Sequence, residues 1–127
     1  MSYRTDLARV VGLGSAREGV GHWWSQRVTS VALIPLTALA LIPLAGAIGE
    51  PREVVLETYS GAFDAVVMML FVAVTFRHLQ QGLQVVIEDY VHGTVKRTAA
   101  LLANTMLCAF FGLSGVFAVA RIAFTGG

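Results

Sequence analysis

The stretch that decides the fold is Val28–Gly49, which reads VTSVALIPLTALALIPLAGAIG and contains neither a charged residue nor a histidine. At a rise of about 1.5 Å per residue, a helix of this length crosses a bilayer core of about 30 Å. A helix satisfies its backbone groups internally, as a segment surrounded by lipid must. Pro35 and Pro43 each remove one backbone donor, which a membrane helix tolerates as a bend. The stretch therefore predicts a membrane-spanning helix.

Two further stretches have the same character. Thr98–Ala120 is uncharged, and Ala65–Ile87 begins as a pure apolar run before it admits polar residues. The chain of 127 residues is 56% hydrophobic and 13% charged, with a mean hydropathy of +0.70. A soluble chain of this size cannot bury so much apolar surface, so a disordered chain, a disulfide scaffold and an ordinary cytosolic domain are excluded.

The predicted fold class is all-α, an integral membrane protein with three transmembrane helices. The helices are expected at about 28–49, 65–87 and 98–120, in a single membrane-anchor domain over residues 1–127. A formal net charge of +1 gives no field strong enough to attract nucleic acid. The single cysteine, Cys108, shows no metal-ligand spacing.

Basic residues outside the predicted helices are concentrated in the N-terminal segment and in the second loop. These two segments contain Arg4, Arg9, Arg17, Arg27, Lys96 and Arg97, whereas the opposite side has only Arg52 and Arg121. The first loop, in contrast, is acidic. The positive-inside rule then predicts a multi-pass protein of the inner (cytoplasmic) membrane, with segment 1–27 cytoplasmic and the C-terminus periplasmic.

The second predicted helix carries Arg77 and His78, the ionisable residues that lie deepest in the membrane. Counted back from Glu88 at the cytoplasmic edge, His78 lies about 15 Å inside. A neutral imidazole there requires a metal, a cofactor or a hydrogen-bonding neighbour on another helix. Gly82, one turn away on the same face, leaves a recess that suits a planar macrocycle. A single histidine could supply only one axial ligand to a haem iron, so a haem here would need a second ligand from another subunit.

Three residues at the predicted cytoplasmic end form a second candidate site. Tyr90 lies about 18 Å beyond His78 along a helix, at the depth of a quinone headgroup. In one interpretation its phenol donates a hydrogen bond to a quinone carbonyl and Asp89 supplies a proton. In the other, both are ordinary residues of a helix–water boundary. Arg27, at the same depth, is expected to pair with Asp89, to bind a haem propionate or to reach lipid phosphate.

Two motifs resemble a known family. HWWSQRVTSV at residues 22–31, followed by an apolar span with prolines, is similar to the first helix of the hydrophobic membrane anchor of succinate dehydrogenase (complex II). His78 and Gly82, followed by QVVIEDYVHG at residues 84–93, resemble that family's second helix and the loop after it. The similarity is closest to alphaproteobacterial and mitochondrial-type members and covers Gly21–Arg97, whereas the third helix matches in length and hydropathy.

The resemblance implies a complex of this chain with a second anchor subunit, an iron–sulfur subunit and a flavoprotein subunit that holds FAD. It implies electron transfer from succinate through iron–sulfur clusters to ubiquinone, with haem b held between the two anchors. By matching position, His78 would be the axial ligand of the haem iron and Arg27 would lie near the propionates. Tyr90 and Asp89 would belong to the quinone site, and the chain would be a non-catalytic anchor. Arg77 departs from the family pattern and receives no role.

Two other functions fit the same residues. An anchor of fumarate reductase or of another haem b quinone oxidoreductase would use them with electrons running in the opposite direction. A non-redox structural subunit would use the polar residues of the second helix to hold helices together. The second alternative predicts a complex without the absorbance of a haem.

Overall fold

The computed structural model describes Thr5, Leu7 and residues 19–126, and the predicted cytoplasmic residues Arg4, Arg9 and Arg17 lie outside that set. Residues 19–126 form four helices and no strand. The helices are α1 (Gly19–Ala47), α2 (Arg52–Ser60), α3 (Ala62–Tyr90) and α4 (Thr94–Thr125). Three of them, α1, α3 and α4, are long and apolar enough to cross a membrane. The all-α class with three transmembrane helices is therefore confirmed.

The long helices extend beyond the stretches that predicted them. α1 begins at Gly19 rather than at Val28, and α4 ends at Thr125 rather than at Ala120. The prediction ended each helix near its first charged residue, but a helical backbone continues through the interface, where charged side chains reach water. The short helix α2 was not predicted. It forms in the acidic first loop and places Glu53 in its first turn, where the helix dipole favours a carboxylate.

α3 is the central helix of the bundle. It packs against α1 on one side and α4 on the other, whereas α1 and α4 do not contact each other along their described lengths. Thr29 of α1 meets His78 of α3, and Ser25 meets Gln81. Because the residue numbers rise along one helix and fall along the other, α1 and α3 are antiparallel.

Small residues bring α4 close to α3. A Cβ atom added to Gly115 would lie 2.8 Å from Cγ1 of Val72, and one added to Gly112 would lie 3.1 Å from Cβ of Phe76. Nδ2 of Asn104 donates a hydrogen bond of 2.9 Å to the backbone carbonyl of α3 at position 80. This contact therefore combines close backbone approach with a buried polar bond, as is common between membrane helices.

The connections decide which residues share an end of the bundle. The turn from α3 to α4 covers residues 91–93, and Gly93 adopts a φ of 96°, a conformation that favours glycine. The turn places Tyr90 and Lys96 at the same end as Trp23 of the antiparallel α1. We call this the Tyr90 end. α2 contacts all three long helices at the opposite end, which we call the α2 end.

The interior is small and partly polar. The largest fully buried side chain is Gln81, which is 1% exposed, and Asn104 is also buried. The buried apolar residues are mostly small: Ala40, Ala47, Tyr59, Ala65, Val67 and Cys108. Large apolar side chains instead cover the outside of the long helices. This distribution suits a chain whose outer surface meets lipid or other membrane chains.

Candidate functional site

His78 is held by α1 through one of its two ring nitrogens. Nδ1 lies 2.9 Å from Oγ1 of Thr29, and the side chain is half-buried. Nε2 forms no hydrogen bond with the described residues and is accessible from outside the chain. The imidazole is therefore anchored at Nδ1 and open at Nε2.

The surroundings of Thr29 decide where the imidazole carries its proton. Oγ1 lies 3.1 and 3.0 Å from the backbone oxygens of Ser25 and Gln26, and 3.5 Å from Oε1 of Gln81. These three oxygens accept hydrogen bonds, and the hydroxyl has one proton to donate. The arrangement is satisfied when the hydroxyl donates to a carbonyl and accepts a bond from Nδ1–H of His78. Nε2 then carries the lone pair that a metal-ligating imidazole needs.

Gln81 is the second polar link between α1 and α3. Its Nε2 donates a hydrogen bond of 2.7 Å to Oγ of Ser25, which turns Oε1 toward Thr29. The sequence analysis did not identify Gln81, Ser25 or Thr29 as parts of the site. Gln81 lies three residues after His78 and so shares its face of the helix, which was an available signal. The partner on α1 had no such signal, because spacing within one helix says nothing about its register against another.

The recess expected over Gly82 is bounded by α1. A Cβ atom on Gly82 would lie 3.8 Å from Nε2 of Gln26, which is an ordinary contact distance. Oε1 of Gln26 and Nε2 of His22 are enclosed and have no hydrogen-bond partner in the described part of the chain. Enclosed polar atoms of this kind are satisfied by ordered water or by a bound group. The contact between α1 and α3 thus retains unused hydrogen-bonding capacity near its Tyr90 end.

The structure brings the other predicted site residues to one end without joining them. Tyr90 is the last residue of α3 and is 77% exposed, and Asp89 beside it is also exposed. The guanidinium of Arg27 lies 5.4 Å from the ring centre of Trp23 rather than in an ion pair with Asp89. That distance allows a cation–π interaction, which keeps the arginine at the surface of α1. The chain presents these three residues but does not enclose them.

A family model described as "Succinate dehydrogenase/Fumarate reductase transmembrane subunit" matches residues 1–117. The chain belongs to this family. The recognition of the succinate dehydrogenase anchor family from the motifs around Arg27 and His78 is thereby confirmed. The family description and the three long apolar helices α1, α3 and α4 are those of a multi-pass membrane protein.

Curated relatives share this description. The chain is 36% identical over 122 residues to the succinate dehydrogenase hydrophobic membrane anchor subunit of Paracoccus denitrificans, which covers 96% of this chain and 94% of the relative. It is 25% identical over 107 residues to the protein of the same description from Rickettsia conorii, covering 84% of this chain and 85% of the relative. The succinate dehydrogenase membrane anchor subunit of Reclinomonas americana is 30% identical over 88 residues, covering 67% of this chain and 73% of the relative. No solved structure matches the chain.

Proposed function

We propose that this anchor subunit supplies one axial ligand of a haem b and part of the ubiquinone-reduction site, in electron transfer from succinate to quinone. The observation that carries the proposal is the bond between His78 and Thr29. It directs the lone pair of the imidazole to Nε2, the ring nitrogen that is open at the surface of the chain. His78 and Thr29 are therefore suited to hold a haem. When bound, haem supplies a one-electron redox centre between two anchor subunits.

Each residue of the proposed haem site has a separate task. His78 offers Nε2 as the ligand, and Thr29 keeps the opposite nitrogen protonated and holds the plane of the ring. Gln81 holds α3 against the same turn of α1 through its hydrogen bond to Oγ of Ser25. Arg27 provides a cation at the Tyr90 end, where a propionate would lie, and its charge favours the ionised form of such a group. The second axial ligand comes from the second anchor subunit.

The proposed quinone site uses the residues exposed at the Tyr90 end. The phenol of Tyr90 donates a hydrogen bond to a quinone carbonyl while its ring contributes to an apolar wall. Asp89 carries a proton toward the reduced quinone oxygen. Because Tyr90 is 77% exposed in this chain, the remaining walls of the site are supplied by the partner subunits. The main contribution of this chain is positioning, which lowers the barrier by holding reacting groups in place.

The proposal extends to assembly and orientation. The partners are the second anchor subunit, the iron–sulfur subunit and the flavoprotein subunit with its FAD. The chain lies in the inner membrane with the Tyr90 end cytoplasmic and the C-terminus periplasmic. Lys96 and Arg97 lie at the Tyr90 end and support this orientation, because basic residues are concentrated on the cytoplasmic side. Among the described residues, the α2 end has two basic residues, Arg52 and Arg121, whereas the Tyr90 end has three, Arg27, Lys96 and Arg97.

An anchor of fumarate reductase is the second candidate, because the matching family includes both kinds of complex. The same residues would then serve electron flow from quinol toward fumarate. The direction is tested by comparing succinate-dependent quinone reduction with quinol-dependent fumarate reduction in the purified complex. Faster quinone reduction is expected.

The haem proposal is tested by the optical spectrum of the purified, dithionite-reduced complex. The unaltered complex is expected to show a b-type absorption band, which His78→Ala should remove. The control is His92→Ala, because His92 is exposed in the turn after α3 and should leave the band unchanged. The amounts of the co-purifying polypeptides, measured by mass spectrometry, separate loss of haem from loss of assembly. An assembled His78→Ala complex with the full haem content would overturn the proposal.

A further inference from the structure

One side of α3 carries a continuous chain of polar side chains from the middle of the helix to the Tyr90 end. Arg77 donates from Nη1 to Oε1 of Gln80, and Nε2 of Gln80 donates to Oε1 of Gln84 at 3.4 Å. Nε2 of Gln84 then donates to Oε1 of Glu88 at 2.9 Å. Spacings of three and four residues place these side chains next to one another along a helix. We call Arg77, Gln80, Gln84 and Glu88 the polar ladder.

The arginine of the polar ladder lies far from water. α3 has 29 residues, so its middle residue is Phe76 and Arg77 follows directly. A helix of that length measures about 43 Å, which exceeds a hydrocarbon core of about 30 Å. Arg77 is about 16 Å from Glu88 along the axis, farther than an arginine side chain extends. A guanidinium at this depth is costly unless an opposite charge lies beside it.

Within residues 19–126, no carboxylate lies at the depth of Arg77. The segments of α1 and α4 contain no aspartate or glutamate. The carboxylates of α3 are Asp64, Glu88 and Asp89, all near the ends of the helix. Within residues 19–126, Arg77 donates to the neutral amide of Gln80 and forms no ion pair. A carboxylate that pairs with Arg77 therefore lies outside residues 19–126.

The surroundings of Arg77 show where a molecule with such a carboxylate packs. Arg77 and Gln80 line a groove between α3 and α4 whose other walls are small or apolar, among them Ala73, Ala109 and Gly112. Small side chains allow a helix backbone to approach closely. Elsewhere on α3, Leu79 and Val86 are exposed apolar residues that suit lipid chains. The groove beside Arg77 is thus a face of α3 that lipid solvates poorly. A second groove between α3 and α4, on the side of Leu79 and Ala103, has no charged residue in its walls.

We infer that the groove between α3 and α4 docks a transmembrane helix of a second membrane subunit, which places an aspartate or glutamate carboxylate against Arg77. A lipid phosphate remains at the membrane surface, too far from Arg77. The membrane helices α1, α3 and α4 of a second copy of this chain bring no acid to that depth. A haem on His78 lies on another side of α3, because His78 faces α1 and adjacent helical positions differ by about 100°. The inference does not depend on haem binding.

The test places a photo-crosslinking phenylalanine analogue in the groove while Arg77 is kept. The analogue replaces Ala73, one turn from Arg77, and the control replaces Leu79 on another side of the helix. Both are expressed with all other subunits and irradiated in native membranes, and the crosslinked peptides are sequenced by mass spectrometry. Position 73 is expected to capture a transmembrane segment of another subunit, with an aspartate or glutamate within one helical turn of the attachment point. Position 79 should not capture that segment.

Capture by position 73 of lipid, of a second copy of this chain or of a segment without an acidic residue would overturn the inference. Charge variants provide an independent measurement. Arg77→Glu is expected to lower the amount of the second subunit that co-purifies at least several-fold, and Arg77→Lys is expected to retain it. Replacing the captured acid by arginine in the Arg77→Glu background should restore the yield. Unchanged co-purification in Arg77→Glu would also overturn the inference, whatever the haem content of His78→Ala.

Discussion

Nδ1 of His78 lies 2.9 Å from Oγ1 of Thr29, and this contact joins α3 to α1 within the polar part of their interface. The hydroxyl of Thr29 has backbone carbonyl acceptors at 3.0 and 3.1 Å on its own helix, so it is free to accept a bond from the imidazole. A threonine on the first membrane helix thereby selects which nitrogen of the histidine remains available. The proposed ligand geometry depends on this pair rather than on His78 alone.

The first prediction concerns that pair. Thr29→Val preserves the shape of the side chain but removes the acceptor for Nδ1–H. Because such a bond increases the electron donation of the ring, its loss should raise the haem midpoint potential and weaken haem retention about 10–100-fold. Redox titration of the complex and haem content per complex are the measurements. Thr29→Ser retains the hydroxyl and should behave like the unaltered protein, so equal potentials in the two variants would contradict the prediction.

The second prediction concerns Tyr90. Tyr90→Phe removes a phenol that is exposed at the end of α3 and leaves the ring in place. Loss of one neutral hydrogen bond to quinone costs about 1 kcal/mol, or roughly a fivefold decrease in quinone-reduction efficiency. Haem content should not change. Tyr59→Phe at the α2 end is the control, since Tyr59 is remote from the proposed site. Equal efficiency in Tyr90→Phe and the unaltered complex would remove Tyr90 from the quinone site.

The third prediction concerns packing between α3 and α4. Gly115→Ala puts a Cβ atom 2.8 Å from Cγ1 of Val72, so the helices must separate or the valine must move. The expected loss of stability is about 1–3 kcal/mol, measured as a lower midpoint of thermal denaturation in detergent. Gly46→Ala on α1 is the matched control, because nothing lies within 4 Å of its added Cβ. That change should be neutral or slightly stabilising, and a similar loss in both variants would contradict the packing explanation.

The fourth prediction concerns pH and Tyr59 of α2. Burial raises the pKa of the Tyr59 hydroxyl above its usual value, and the nearby negative charge of Asp64 raises it further. The unfolded chain therefore loses this proton first, at about pH 10. The stabilising contribution is complete below that pH and is lost as the pH rises toward the folded pKa. Thermal midpoints of the purified complex should therefore begin to fall near pH 10 and continue to fall as the pH rises further.

Tyr59→Phe isolates the effect of this group. The hydroxyl is enclosed without a hydrogen-bond partner among the described residues, so its removal should not destabilise the protein near neutral pH. It should reduce the alkaline decrease in the thermal midpoint. A Tyr59→Phe complex with the same pH dependence as the unaltered complex would assign that decrease to other groups.

The sequence by itself determined the class of the protein and the expected depth of its candidate site residues. An uncharged apolar stretch such as Val28–Gly49 has a helix as its stable form in lipid, because every backbone group must find a partner within the segment. Counting residues at a constant rise then placed His78 deep in the membrane and Tyr90 at the boundary. The motifs at residues 22–31 and 84–93 were sufficient to recognise the family, and the comparisons confirmed it.

The tertiary structure decided what each helix face meets. Periodicity places His78 and Gln81 on one side of α3, but the rotation and register of α1 follow from packing between the helices. That packing brings Thr29 to His78 across 49 positions of sequence. It also turns Arg77 into the groove beside α4, away from the imidazole. A repeat along one helix specifies which residues share a face, whereas the neighbour of that face depends on contacts that no single helix contains.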